Sequence, residues 1–233
     1  MARVVAEKSD WFEWVGTSDA PDVVVDIADH LDSETGASTW AMRVTSRLET
    51  TQEKNVPEHF PAIIAIEPFL RIELRRLYTI KNLAVLDRSD VPIRFGLVES
   101  NSKVLQEGSE VRFRFLSPVA GYISLVNVDA AGNMHVIFPI GDESNKVRAN
   151  EELVIPPSDP SEATYKYTVG GDQFGREYVK VVFSTVPLQI KGEFTEPSAY
   201  VSRVKSDLEG YRDPLIRIAT QSVSYTTEPK NGR

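Results

Sequence analysis

The sequence predicts a mainly β protein with minor α content: an antiparallel, immunoglobulin-like β-sandwich joined to a flanking α+β region. Three observations lead there. Short runs that alternate apolar and polar residues, punctuated by Gly, Asp, Asn and Pro, recur for roughly a hundred residues after Pro92, a length suited to one sandwich. One long segment instead keeps helical spacing. The 233 residues are 41% hydrophobic and 26% charged, an ordinary globular balance, and three Trp, eight Tyr and ten Phe can fill a sizeable core.

Residues 1–90 read as the flanking α+β region. Asp22–Ile27 and Thr39–Val44 are strand candidates, and Asp32-Ser33-Glu34-Thr35-Gly36-Ala37 between them is turn chemistry, so the pair predicts a hairpin. A helix is expected over about 67–87. Leu70, Leu74, Leu77, Ile80 and Leu83 recur three or four apart, Pro68 suits the first turn, and Arg71, Glu73, Arg75 and Arg76 fill the other side as a solvated face. That face should be charged and wet, and the leucine face should pack on a sheet.

Residues 91–190 read as the sandwich. Val111, Phe113 and Phe115 alternate with Arg112 and Arg114, placing the apolar side chains on one face. Gly121–Val128 and Met134–Pro139 flank the turn Asp129-Ala130-Ala131-Gly132-Asn133, a hairpin by its residue types. Leu153–Pro157 and Tyr178–Phe183 supply further strands, the latter apolar on both faces and so central. Residues 191–233 are expected to pack back on the core. Thr195 can cap a helix with Tyr200, Val201, Val204 and Leu208 on one face and Gly210 at its end, and Leu215–Thr226 makes a last strand.

Gly121-Tyr122-Ile123, Asn127-Val128-Asp129, Gly132-Asn133 and Ile137-Phe138-Pro139, followed by Leu153-Val154-Ile155-Pro156 and Gly175-Arg176-Glu177, resemble a bacterial domain of unknown function, the 4384 family. The resemblance covers about residues 105–188. It implies an accessory β-sandwich of the kind found C-terminal to caspase-like peptidases or signalling enzymes, with no activity of its own in this segment. In that pattern Gly121, Asp129, Gly132, Asn133 and Pro139 are structural turn and hairpin positions.

Charge narrows the partners. A formal net charge of −8 opposes binding to nucleic acid or an anionic membrane surface. No apolar run reaches membrane-spanning length. The opening residues carry Glu7, Lys8 and Asp10, so no standard export signal is indicated and a cytoplasmic location is the default expectation.

Catalytic patterns are not recognisable. With no cysteine, thiolate chemistry and the caspase-like His/Cys pair are ruled out within this sequence. His30, His59 and His135 have no metal-ligand spacing, and no cofactor is expected. Ser124, Ser184 and Ser222 fall in strands without a nucleophile elbow. Asp129-x-x-Gly132-Asn133 lacks the alternating oxygens of a calcium loop, and Gly170–Arg176 lacks the lysine of a phosphate loop. The acidic pairs Asp142/Glu143 and Glu151/Glu152 fall in loops.

The expected function is therefore a non-catalytic module that holds or regulates a protein partner. An exposed Phe174 and Arg176 in the glycine-rich connection would suit a contact with it. Trp11 and Trp14, with Phe12, form either a docking patch or a pin that buries the terminus on the core. The alternatives are a hydrolase using scattered carboxylates, and a carbohydrate-binding sandwich stacking sugars on Tyr165 and Tyr167.

Overall fold

The computed structural model describes residues 23–31, 38–46, 52–57, 62–98, 103–141, 143–159, 165–171, 173–190, 194, 196–211 and 215–230. It is mainly β with two helices, and the chain divides into two compact units, Met1–Tyr78 and Thr79–Arg233.

In the first unit, β1 (Val23–Leu31), β2 (Ser38–Ser46) and β3 (Gln52–Pro57) form an antiparallel meander. The two expected strands pair antiparallel, Val25 opposite Val44 and Asp29 opposite Trp40 in register, while the turn expected at residues 32–37 lies outside the described residues. Helix α1 (Ala62–Ala84) starts earlier than its leucine repeat indicates, so Pro68 lies inside it rather than in its first turn. The apolar residues upstream of Glu67 contain no stop signal, and the helix simply continues back through them.

The charged side of α1 also differs from expectation. Arg71 and Arg75 are exposed, but Glu73 and Arg76 are buried. Glu73 falls three residues after Leu70 and four before Leu77, which places it on the leucine face. Burial is tolerable because the Arg76 guanidinium donates to the Glu73 carboxylate at 2.8 Å, one turn away.

The second unit begins within α1, at Thr79, ahead of the 91–190 span that the sequence pattern marks as the sandwich. Its main sheet has strand order β10-β8-β13-β14-β5, with β9 also paired to β8. The strands are β5 (Val104–Gln106), β8 (Gly121–Val128), β9 (Met134–Phe138), β10 (Lys146–Val147), β13 (Arg176–Ser184) and β14 (Ile218–Glu228). A second sheet has order β11-β7-β4, from Leu153–Ile155, Phe113–Leu116 and Arg94–Leu97, and β6 (Glu110–Val111) pairs β12 (Tyr167–Thr168). β13 is central, as its two apolar faces require. It pairs β8 on one side and β14 on the other.

Alternation along β8 and β13 creates two cores. Ile123, Leu125, Val179, Val181 and Phe183 face inward and meet Phe95, Phe113, Phe115 and Ile155 of the smaller sheet. Val126, Val128 and Val182 face the other way, where Ile80 and Leu83 of α1 and Tyr200, Val201 and Val204 of α2 (Pro197–Glu209) cover them. The outer face of the larger sheet is thus covered by α2 and by the C-terminal end of α1, from Thr79 onward. Helix α1 closes with i→i−3 bonds from Val85, Leu86 and Asp87, which satisfy its last carbonyls. The N-cap of α2 is Glu196, with no side-chain cap, whereas the expected cap Thr195 lies outside the described residues. Gly210 does end α2, but in the right-handed region, so its left-handed freedom is not what stops the helix. Among the described residues, no helix is long and apolar enough to cross a membrane.

Candidate functional site

One end of the larger sheet gathers most of the polar residues that stand out in the sequence. The β8–β9 hairpin turns through Asp129–Asn133. Asp129 Oδ1 accepts the backbone N–H groups of Ala131 (2.9 Å) and Asn133 (2.8 Å), and Oδ2 accepts Asn133 Nδ2 at 3.0 Å. The main chain closes on itself as Gly132 N–H donates to Asp129 O at 2.9 Å and Asp129 N–H to Asn133 O at 3.0 Å. Gly132 stands at φ 83°, a left-handed conformation that favours glycine. Thr79 of α1 ties the turn to the helical layer by donating to Gly132 O at 3.2 Å.

His135, the second residue of β9, is exposed and places Nε2 3.3 Å from Asp129 Oδ2. Burial alone would raise the Asp129 carboxyl, but hydrogen bonds from His135 and Asn133 outweigh it, and the group sits below the usual carboxylate range.

On the neighbouring strand, Glu177 points to the inner face. Its Oε2 accepts both Asn127 Nδ2 from β8 and the Tyr225 hydroxyl from β14, each at 3.0 Å. Burial pushes the Glu177 carboxyl above the ordinary range. These two hydrogen bonds pull it down, the Asp129 charge pushes it up, and His135 draws it down slightly. Tyr225, buried and beside Glu177, is in turn raised well above an ordinary phenol, first by burial.

The other residues marked in the sequence have architectural places. Gly121 opens β8 rather than forming a turn, and any Cβ there would lie 2.4 Å from Ser184 O and 2.5 Å from the Phe183 ring. Its value is close approach, not backbone freedom. Pro139 follows β9 at a cis Phe138–Pro139 bond. Phe174 is half-buried and packs against the inner core, so the exposed anchor expected there is not present. Arg176 is half-buried at the start of β13, opposite Thr226. Trp11 and Trp14 lie outside the described residues, as does Asp142. Glu151 pairs with Arg148 at the surface at 3.3 Å.

Residues 104–187 match the model of a domain of unknown function (DUF4384). The match falls where the resemblance in the sequence placed it, and covers a partial segment of the chain. No curated protein matches the chain. The DUF4384 segment contributes Asn127, Asp129, Asn133, His135 and Glu177 to the polar cluster, while Tyr225 comes from the strand beyond it.

Tyr165 and Tyr167 meet with ring centroids 5.2 Å apart at 45°. Tyr167 leans on Phe113 and donates to Ile137 O, and burial pushes the Tyr165 phenol up to about 12. The two rings are tilted against each other and half-buried. The cavity beside them, among Val111, Arg112, Pro156, Ser158, Tyr165 and Tyr167, holds about 70 Å³. Among the described residues, no group of three or more His, Asp or Glu side chains is placed to hold a metal ion.

Sequence reasoning finds Asp129 and Asn133 as turn formers but misses Glu177, Asn127 and Tyr225 as a cluster. Glu177 and Tyr225 are 48 residues apart and meet only because β13 and β14 pair in register, Glu177 facing Tyr225. A glutamate at an inward position of an apolar strand is the one available signal.

Proposed function

We propose that the chain is a non-catalytic accessory or regulatory module of a bacterial multidomain or multi-subunit system, acting in the cytoplasm by binding a protein partner such as a caspase-like peptidase or signalling enzyme. The observation that carries this reading is the employment of the residues behind the DUF4384 resemblance. Gly121 permits strand contact, Asp129 spends both carboxylate oxygens on its own hairpin and on His135, and Gly132 sets a turn. Residues committed to architecture support a scaffold whose surface does the work.

The rival hydrolase has one feature in its favour: Asp129 is lowered and Glu177 raised, the division of labour an acid–base pair uses. Glu177, however, is held between strands by Asn127 and Tyr225 and partly withdrawn from solvent, which favours the scaffold. The test is co-expression with the proteins encoded by the neighbouring genes, followed by size-exclusion chromatography and an activity screen. Co-elution at fixed stoichiometry, with the chain alone inert toward peptide, ester and glycoside substrates, is expected. Turnover by the folded chain that disappears in Glu177→Gln would overturn the proposal in favour of the hydrolase.

A further inference from the structure

The smaller sheet turns one face away from the core, and that face is basic in a chain whose net charge is −8. Phe95, Leu97, Phe113, Phe115, Leu153 and Ile155 pack into the inner core. Alternation therefore puts Arg94 and Gly96 of β4, Arg114 and Leu116 of β7, and Val154 of β11 on the other side. Val98 N–H donates to Arg112 O at 2.8 Å, so the β4–β7 pairing continues past the strand end and Arg112 extends the same face. Against these arginines the alternation adds one carboxylate among the described residues, the exposed Glu152 ahead of β11. Gly96 stands opposite Arg114 and Leu116 opposite Arg94, which makes the two arginines diagonal neighbours. Both are exposed, and among the described residues neither has an ion pair.

The guanidiniums are already oriented. Arg114 Nε donates to Leu97 O at 3.2 Å, and Arg112 Nη1 donates to Ser158 Oγ at 3.0 Å. Both acceptors are neutral, so these bonds set direction without cancelling charge. Between the arginines the floor is apolar and open. Leu116 and Val154 are half-buried, and a Cβ on Gly96 would meet nothing within 4 Å. Arg112 also lines the cavity of about 70 Å³ described above, so the basic face continues into it.

Screening limits the reach of the chain's remaining negative charge to about 8 Å at physiological salt, so a local basic cluster can hold a segment that the whole molecule repels. An extended peptide repeats its side chains on one side every ~6.7 Å, which is also the spacing of Arg112 and Arg114 along their strand. No aromatic ring stands on this face among the described residues for a nucleic-acid base to stack on. We propose that the outer face of β4, β7 and β11 docks an extended acidic segment of a partner protein, whose carboxylates meet Arg94, Arg112 and Arg114 around the apolar floor of Leu116 and Val154. This rests on the reading of the chain as a protein-binding module, and gives that module a surface and its partner a chemistry.

The experiment titrates the full chain with fluorescein-labelled decaglutamate by anisotropy at about 20 and about 150 mM salt, and maps the shifted amides by NMR. Binding that weakens at the higher salt is expected, with the shifts gathered on β4, β7 and β11. Arg94→Ser combined with Arg114→Ser should weaken it by roughly tenfold. Removing two exposed charges elsewhere, with Lys205→Ser and Arg217→Ser, should leave it nearly unchanged. Absence of binding at low salt, shifts centred on other strands, or equal losses in the two double variants overturns the proposal. Tighter binding of decathymidylate than of decaglutamate overturns it in favour of nucleic acid. A neighbouring gene product that co-elutes equally with wild type and with the Arg94→Ser, Arg114→Ser variant overturns the acidic docking face while leaving the module reading intact. Decaglutamate mapped to the face with no co-eluting neighbour supports the face and tells against the module. Should the arginine variant not fold, the wild-type shift map decides the matter alone.

Discussion

Strand β13 sends an ionisable side chain to each face of the larger sheet, and the two faces treat their charges differently. On the outer face, Lys180 is 1% exposed, and its ammonium donates to the carboxylate of Asp87, at the end of α1, which is 57% exposed. Asp87 also accepts the Thr220 hydroxyl at 3.0 Å. On the inner face, the groups hydrogen-bonded to Glu177 among the described residues are the neutral donors Asn127 and Tyr225. The end of α1 brings an opposite charge to Lys180, whereas the ionisable groups acting on Glu177 are Asp129, a like charge, His135, which is engaged with Asp129, and Tyr225, which donates to it. The buried cation is held by a counter-ion at the rim, whereas the half-buried carboxylate is held by neutral donors from the two neighbouring strands.

The most severe perturbation of either face involves no charge. Phe183 is fully buried in the inner core and stacked on Phe115 with centroids 6.0 Å apart. Phe183→Ala should cost about 4 kcal/mol, read as a loss in chemical denaturation. Such a loss sets the scale of packing on this face, and an unchanged midpoint would mean the sandwich core is assigned wrongly.

On the outer face, Asp87→Ala strands Lys180 without its counter-charge and should cost about 3 kcal/mol. Adding Lys180→Met to that variant should return most of the loss, because an apolar chain of similar volume needs no partner. A double variant as unstable as the single one would show that Asp87 acts through Thr220 instead.

The smallest expected change is at the hairpin. Asp129→Ala removes the acceptor for two backbone N–H groups and Asn133, and should cost about 2 kcal/mol at neutral pH. Its pH dependence runs opposite to that of Glu177. The difference between this variant and wild type should shrink as pH falls through the depressed Asp129 value, while the contribution of Glu177 grows over the mildly acidic range above it. A variant difference independent of pH would place the effect in the turn backbone and not in the carboxylate.

The hairpin is legible in the sequence because its information is local. Asp129, Gly132 and Asn133 specify the turn within five residues, and the alternation in Val111, Phe113 and Phe115 specifies which face is buried. Tyr178–Phe183 announces a central strand by being apolar on both faces. Phe174 reads as exposed, and is not, because a glycine-rich connection says nothing about the core it crosses. Glu73 and Arg76 read as solvated because charge pattern alone does not reveal that an i,i+3 pair can be buried together. β5, only three residues long and parallel to β14, has too short a pattern to be seen.

The class of the fold, the place of its main strands and turns, and the DUF4384 likeness all follow from the amino-acid order, because periodicity and turn chemistry act over a few residues. That α2 and the C-terminal end of α1 cover the outer face, that Asp87 reaches Lys180 and that Glu177 joins three strands are settled only when the chain is folded. The hydrogen-bonded partners among these are separated by 48 or more residues, and the folding of the whole chain, sheet register above all, is what brings them together.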